Sequence, residues 1–250
     1  MLGLVPDRPT ETSLAARSVW AEIRAQARVL GGFVGALWAI HLVNAILFGG
    51  NLVALGIHPR TLSGLFGILL APLLHVNFAH LSANTVPLIV LGALVMQRRK
   101  RDLLTVSVLS ALVGGLGTWL IAPSASVHVG ASILIFGYLG YLLLRGVFER
   151  RVWPIVGSVV TFFLYGGALW GILPGQSGIS WQGHLFGLVG GILAARLLAK
   201  PVSSASPAPG KVRIASPTPR DLPASRQRID VPQGEETVED ELERLKRKSL

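Results

Sequence analysis

Six stretches of this chain are too apolar to face water, and they follow one another with little chain left between them. They cover approximately residues 30–49, 80–96, 103–122, 130–148, 152–172 and 179–199. A helix needs about 20 apolar residues to cross the hydrocarbon of a bilayer. A backbone in hydrocarbon must also satisfy its own hydrogen bonds, which a single segment does only as a helix. The second stretch is short, yet Leu81 to Met96 holds no charge. The expectation is an all-α polytopic membrane protein, a six-transmembrane-helix bundle over residues 30–199. A charged fraction of 14% and a mean hydropathy of +0.56 exclude an ordinary soluble domain. The 29 glycines fit helices packed closely in lipid. With no cysteine, disulfides and thiolate metal sites are excluded.

The charges order these spans across the membrane. Lys and Arg number four in residues 1–29, one in 50–79, and four in the run Arg98-Arg99-Lys100-Arg101. The next connection holds none, the turn near Arg145, Arg150 and Arg151 holds three, the following connection none, and the residues from Lys200 onward ten. Basic residues collect on the cytoplasmic side of short loops, so the alternation predicts both flanks in the cytoplasm. The same reading explains the net charge of +10 without a nucleic-acid partner. Residues 1–29 are expected to form a cytoplasmic segment with an amphipathic helix over 12–29, Trp20 at the interface, and not a cleaved signal peptide. Residues 200–250 are expected to be a cytoplasmic, mostly disordered tail, since 201–233 are rich in Pro, Ser, Ala and Arg. A short charged helix is expected over 234–249, where acid precedes base.

Polar groups are scarce in the spans, and they share one depth. Spans 2, 4 and 6 all start on the outer side. Their first turns hold His80 and Asn84, Ser132, and His184 respectively. The cytoplasmic halves of the same spans are almost purely apolar. His80 and Asn84, four apart, share a face. Ser132, Phe136 and Gly140 form one stripe, and His184, Gly187 and Gly191 another, whose small residues let two backbones approach. If these stripes meet, the Ser132 hydroxyl reaches the His184 ring. A serine hydroxyl is a poor nucleophile until a neighbouring base takes its proton, and a neutral imidazole does so near neutral pH. No Asp or Glu lies in a span interior, so the pair would work as a dyad. His80, Asn84 and the Ser132 N–H, free at a helix start, would supply oxyanion donors.

These motifs resemble the rhomboid intramembrane serine proteases: His75-Val-Asn-Phe-Ala-His80-Leu-Ser-Ala-Asn84, Gly130-Ala-Ser132, and His184-x-x-Gly187-x-x-x-Gly191, in this order on spans 2, 4 and 6. The segment Gly56-Ile-His-Pro-Arg60-Thr-Leu-Ser-Gly64 agrees. The resemblance covers about residues 30–199. It implies cleavage of a peptide bond in or near a substrate's transmembrane segment, without cofactor or metal. Ser132 would be the nucleophile, His184 the base, and His80 and Asn84 would serve the oxyanion. Phe136 would pack on the His184 ring. It also implies that the apolar segment 62–74, too short to span and broken by Pro72, is a membrane-embedded lateral loop. One position departs from the pattern: Ile133 stands where the family usually has Gly, and a branched side chain there threatens the oxyanion donors or the contact between spans 4 and 6.

Other readings remain at this level. A rhomboid-like protein that binds transmembrane helices without cutting them, as a chaperone or scaffold, is motivated by Ile133. A transporter would need polar residues along a whole pathway, which the apolar halves of spans 4 and 6 oppose. His41 is read as a packing or helix–helix hydrogen-bonding residue, His75 as holding the segment before span 2, and His58 and His128 as solvated. The expected partners are transmembrane protein substrates and the lipid bilayer of a bacterial-type plasma membrane, with the site on the outer side. The oligomeric state is open.

Overall fold

The computed structural model describes residues 11–199. Residues 1–10 and 200–250, and with them the expected disordered tail and short charged helix, lie outside the described residues. Seven α-helices follow in order: α1 Glu11–Leu47, α2 Leu62–Leu70, α3 Phe78–Met96, α4 Lys100–Ile121, α5 Ser132–Glu149, α6 Val152–Tyr165 and α7 Trp181–Leu198. A single 3-10 turn extends α2 through Leu73, and a seven-residue 3-10 segment extends α6 through Ile172. The one β feature among the described residues is an antiparallel bridge between Ile57 and His128.

Five stretches are long and apolar enough to cross a membrane: Val19–Leu47, Phe78–Met96, Lys100–Ile121, Ser132–Glu149 and Val152–Ile172. The sixth expected span is α7. Its length matches α5, but Gln182 and His184 in its first turn and Arg196 in its last dilute its hydropathy. The segment Leu62–Leu73 is an apolar helix too short to span, as its sequence predicts. α1 runs unbroken through residue 29 and joins the expected amphipathic helix to the first span. Its 37 residues measure about 55 Å at 1.5 Å each, well beyond a hydrocarbon core of roughly 30 Å.

Caps set where the site-bearing helices begin. Asn77 accepts the His80 N–H at 2.8 Å and starts α3. Ser180 accepts the Gly183 N–H at 3.3 Å and starts α7. Such caps contribute about 1 kcal/mol each. Arg60 closes the other end of α4: its guanidinium donates to the Leu120 carbonyl at 3.0 Å and the Ala122 carbonyl at 2.8 Å. A cation on the last carbonyls of a helix is favoured by the helix dipole.

The core is built around α7, whose most extensive contacts are with α5 and α4. Glycine makes this possible. A Cβ on Gly191 would run into the Gly137 carbonyl, one on Gly187 into the Ile133 carbonyl, and one on Gly140 into the Leu188 carbonyl. Backbone therefore touches backbone along the α5–α7 seam, where dispersion and short-range dipoles hold the helices in lipid. At the end of the bundle opposite Ser132, Arg98 lies 3.6 Å from both Asp102 and Glu149, and Arg145 bonds Glu149 at 3.0 Å. These pairs neutralise carboxylates that α4 and α5 carry into a nearly buried position.

Candidate active site

Three chain segments converge on the start of α5. The connection after α4 is pinned first: the Gly130 N–H donates to the Ala71 carbonyl at 2.8 Å. The Ala131 N–H donates to His75 Nε2 at 3.3 Å. His75 thus holds the segment that delivers Ser132 as well as the one before α3. Its ring is buried, and burial, with the charges of His80 and His41, pushes its pKa down to about 4. It is neutral at pH 7 and keeps the lone pair that Ala131 needs. Gly130 has φ +126, a conformation that side chains rarely adopt. A Cβ there would sit 2.7 Å from His80 Cε1, so glycine is also required for the close approach of the ring.

Ser132, His184, His80 and Asn84 line one cleft of about 460 Å³, together with His128, Ser126 and Ser180. A smaller cavity of about 20 Å³ lies beside it, bordered by Thr118, Gly130, Ser132, Ile133 and Gly183, large enough for about one water. No direct hydrogen bond joins Ser132 to the His184 ring in this structure. The His184 ring is nonetheless oriented. Its Nδ1 lies 3.0 Å from the Gly171 carbonyl. A carbonyl only accepts, so the proton sits on Nδ1 and the Nε2 lone pair is left free. Phe136 stacks on the ring at 4.0 Å with an interplanar angle of 12°. A Cβ on Gly171 would lie 3.0 Å from His184 Nδ1 and 3.2 Å from Phe136 Cζ. The carbonyl, the stacked ring and the missing side chain together fix the plane of the imidazole.

The amide of Asn84 is buried, and its Nδ2 has no hydrogen-bond partner among the described residues. An unmade buried donor costs about 1–3 kcal/mol. It would lie 3.7 Å from a Cβ on Gly130, which places it beside the segment leading into Ser132. The Ser132 N–H, at the first position of α5, has no backbone partner among the described residues.

Several residues behave differently from their sequence reading. Ile133 is buried, but its side chain lies over Gly114 of α4, where a Cβ would collide with it. It borders the small cavity beside Ser132 rather than the larger cleft, and a Cβ on Gly187 would meet its backbone before its side chain. His128, read as solvated, is half-buried in the cleft wall. His58 bonds the Ala54 carbonyl at 2.7 Å. His41 is buried and meets Phe78 edge-on at 4.5 Å, a packing role as expected. Gly171 and Gly137 were missed. A backbone carbonyl leaves no side-chain trace in sequence, and Gly137 is offset from the i, i+4 stripe drawn through Ser132, Phe136 and Gly140. Gly137 meets Ser110 of α4 as well as Gly191, and its single-residue offset from Phe136 was the available signal.

Together these features define a helical integral membrane protein with a polar cleft at one end of the bundle. The sequence model of the Rhomboid domain matches residues 62–201, and the chain belongs to the rhomboid family. An uncharacterized protein of Mycobacterium tuberculosis (strain H37Rv) is 45% identical over 186 residues, covering 69% of this chain and 77% of its own. The putative rhomboid protease YdcA of Bacillus subtilis is 33% identical over 127 residues, 48% of this chain and 61% of its own. Rhomboid protease GluP of the same organism is 32% identical over 161 residues, 62% of this chain and 31% of its own.

Proposed function

We propose that the protein is an intramembrane serine endopeptidase that cuts peptide bonds in or near the transmembrane segments of other membrane proteins. The observation that carries this reading is the shared cleft: Ser132 and a His184 ring whose free nitrogen is Nε2 both border it. His184 Nε2 takes the proton of the Ser132 hydroxyl as Oγ attacks the scissile carbonyl. The negative charge develops on the carbonyl oxygen, and Asn84 Nδ2, the His80 ring and the Ser132 N–H are the donors that stabilise it. The imidazolium returns the proton to the leaving amine, the C–N bond breaks, and an ester to Ser132 remains. A water entering through the cleft gives its proton to His184 as it attacks the ester carbonyl; the acyl C–O bond breaks, and His184 returns that proton to Ser132 Oγ as the acid leaves. The Gly171 carbonyl does the orienting that a carboxylate does in a triad. By the charge alternation of the loops, the segments flanking the bundle lie in the cytoplasm and the cleft opens on the opposite face.

The test is cleavage of a model transmembrane substrate by the parent and by Ser132→Ala. The variant is expected to insert normally and to cleave nothing. Cleavage at the parent rate would end the proposal. A second reading, helix binding without cleavage, draws on the missing bond between Ser132 and His184. Its other motive is weakened, because the Ile133 side chain lies over Gly114 and is not part of the lining of the larger cleft.

A further inference from the structure

His128 lines the cleft, yet the chemistry above leaves it unused. Its backbone forms both bonds of the bridge to Ile57, at 3.0 and 3.1 Å. Both nitrogens of its ring are engaged: Nε2 lies 2.8 Å from Ser126 Oγ, and Nδ1 lies 2.7 Å from Ser180 Oγ.

One arrangement of protons satisfies every group in this chain of bonds. Ser126 Oγ is 2.5 Å from the Pro123 carbonyl. That carbonyl can only accept, so the Ser126 hydroxyl donates to it. Ser126 then accepts from His128, whose proton is on Nε2. His128 Nδ1 is left as an acceptor and takes the proton of the Ser180 hydroxyl. Ser180 keeps a lone pair for the Gly183 N–H, its capping bond on α7. The Ser180 carbonyl also accepts the His184 N–H at 3.0 Å. The chain of bonds thus begins in the connection that delivers Ser132, four residues after His128, and ends on the turn that carries His184. Because both ring nitrogens are committed, His128 has no free lone pair with which to act as a second base.

We propose that His128 is a positioning residue: its ring latches the 123–131 connection to the first turn of α7 and so sets the approach of Ser132 to His184. This rests on the serine protease reading. Burial pushes the His128 pKa below its ordinary value, which favours the neutral ring that the Nδ1 acceptor requires. A latch of this kind matters because a displacement of about 1 Å in reacting groups costs on the order of 100-fold in rate.

The experiment compares His128→Phe and His128→Asn with the parent. Asn keeps an acceptor where Nδ1 stands; Phe keeps only the volume. For His128→Phe, kcat is expected to fall roughly 10- to 100-fold with KM within about threefold, and His128→Asn is expected to recover part of the loss. A role confined to stability would lower the thermal midpoint and leave kcat unchanged. Parent-like kcat in His128→Phe, or equal losses in Phe and Asn, would overturn the latch. Amide hydrogen exchange at Gly183–Leu185 gives a readout that does not depend on cleavage. It is expected to quicken in His128→Phe, and unchanged exchange also overturns the proposal. A parent chain that does not cleave refutes the protease reading by itself, and the exchange measurement still decides the latch.

Discussion

Helices α6 and α7 separate two properties that hydropathy alone confuses. The α6 stretch, Val152–Ile172, meets the length and composition of a membrane span, yet almost nothing in it is buried within the protein. Trp153 is 83% and Phe163 80% exposed. In contrast, α7 falls short of that composition, yet it is the helix around which the core packs. Ala194 is fully buried, and Gly187, Gly190 and Gly191 lie against backbone of α4 and α5. Hydropathy therefore reads contact with lipid. A helix that lipid scarcely touches is free to carry small and polar residues, and in this fold it carries the imidazole.

Four experiments can break or sharpen this contrast. The largest effect is expected from His184→Ala, which should lower cleavage at least ~1,000-fold, as loss of a base does in serine hydrolases, without changing membrane insertion. Next comes a matched pair of glycines. Gly191→Leu on α7 forces a side chain into the Gly137 carbonyl and is expected to destabilise the bundle by about 1–3 kcal/mol or more. Gly157→Leu on α6 meets open space and is expected to leave the thermal midpoint in detergent unchanged or slightly raised, since Gly is a poor helix former. Equal losses in the two variants would contradict the assignment of α7 to the core. A smaller effect is expected from Gly171→Ala: the added methyl presses on His184 Nδ1 and Phe136, and kcat should fall roughly tenfold with the midpoint preserved.

The smallest effect concerns pH. His75 is neutral when folded down to about pH 4, whereas in the unfolded chain it takes a proton below its ordinary value of 6.5. Between these limits the unfolded state binds more protons, so stability must fall as pH falls. Midpoints measured from pH 7 to pH 4 should drop, and the drop should be smaller in His75→Gln. An identical pH profile in the two proteins would remove His75 from this account.

Much of the fold was legible because lipid imposes a simple code. Spans 2 to 6 were placed within a few residues of α3 to α7, since charge and apolar run length mark where a helix leaves hydrocarbon. The start of α1 was legible too: a helix was expected from residue 12, and α1 begins at Glu11. Its continuity was not, because the change from charged to apolar residues near Val29 marks a change of surroundings and says nothing about whether the helix is interrupted. Of the candidate site, the sequence could single out the side chains that line one cleft, Ser132, His184, His80 and Asn84, and the Phe136 that stacks on His184. What escaped was carried by backbone or by loops. Gly171 acts through its carbonyl, and Gly114 makes room for Ile133 from another helix. His128 lies in a connection whose path depends on its bridge to Ile57. These are long-range consequences of packing, which local periodicity does not encode.

The central claim is that Ser132 is an activated nucleophile and that His184 activates it. Reaction of the membrane-embedded protein with a fluorophosphonate, followed by mass mapping of the adduct, tests this without knowledge of the substrate. A single adduct on Ser132 is expected in the parent and none in His184→Ala. No adduct in the parent, or equal labelling of Ser132 in both proteins, would contradict it.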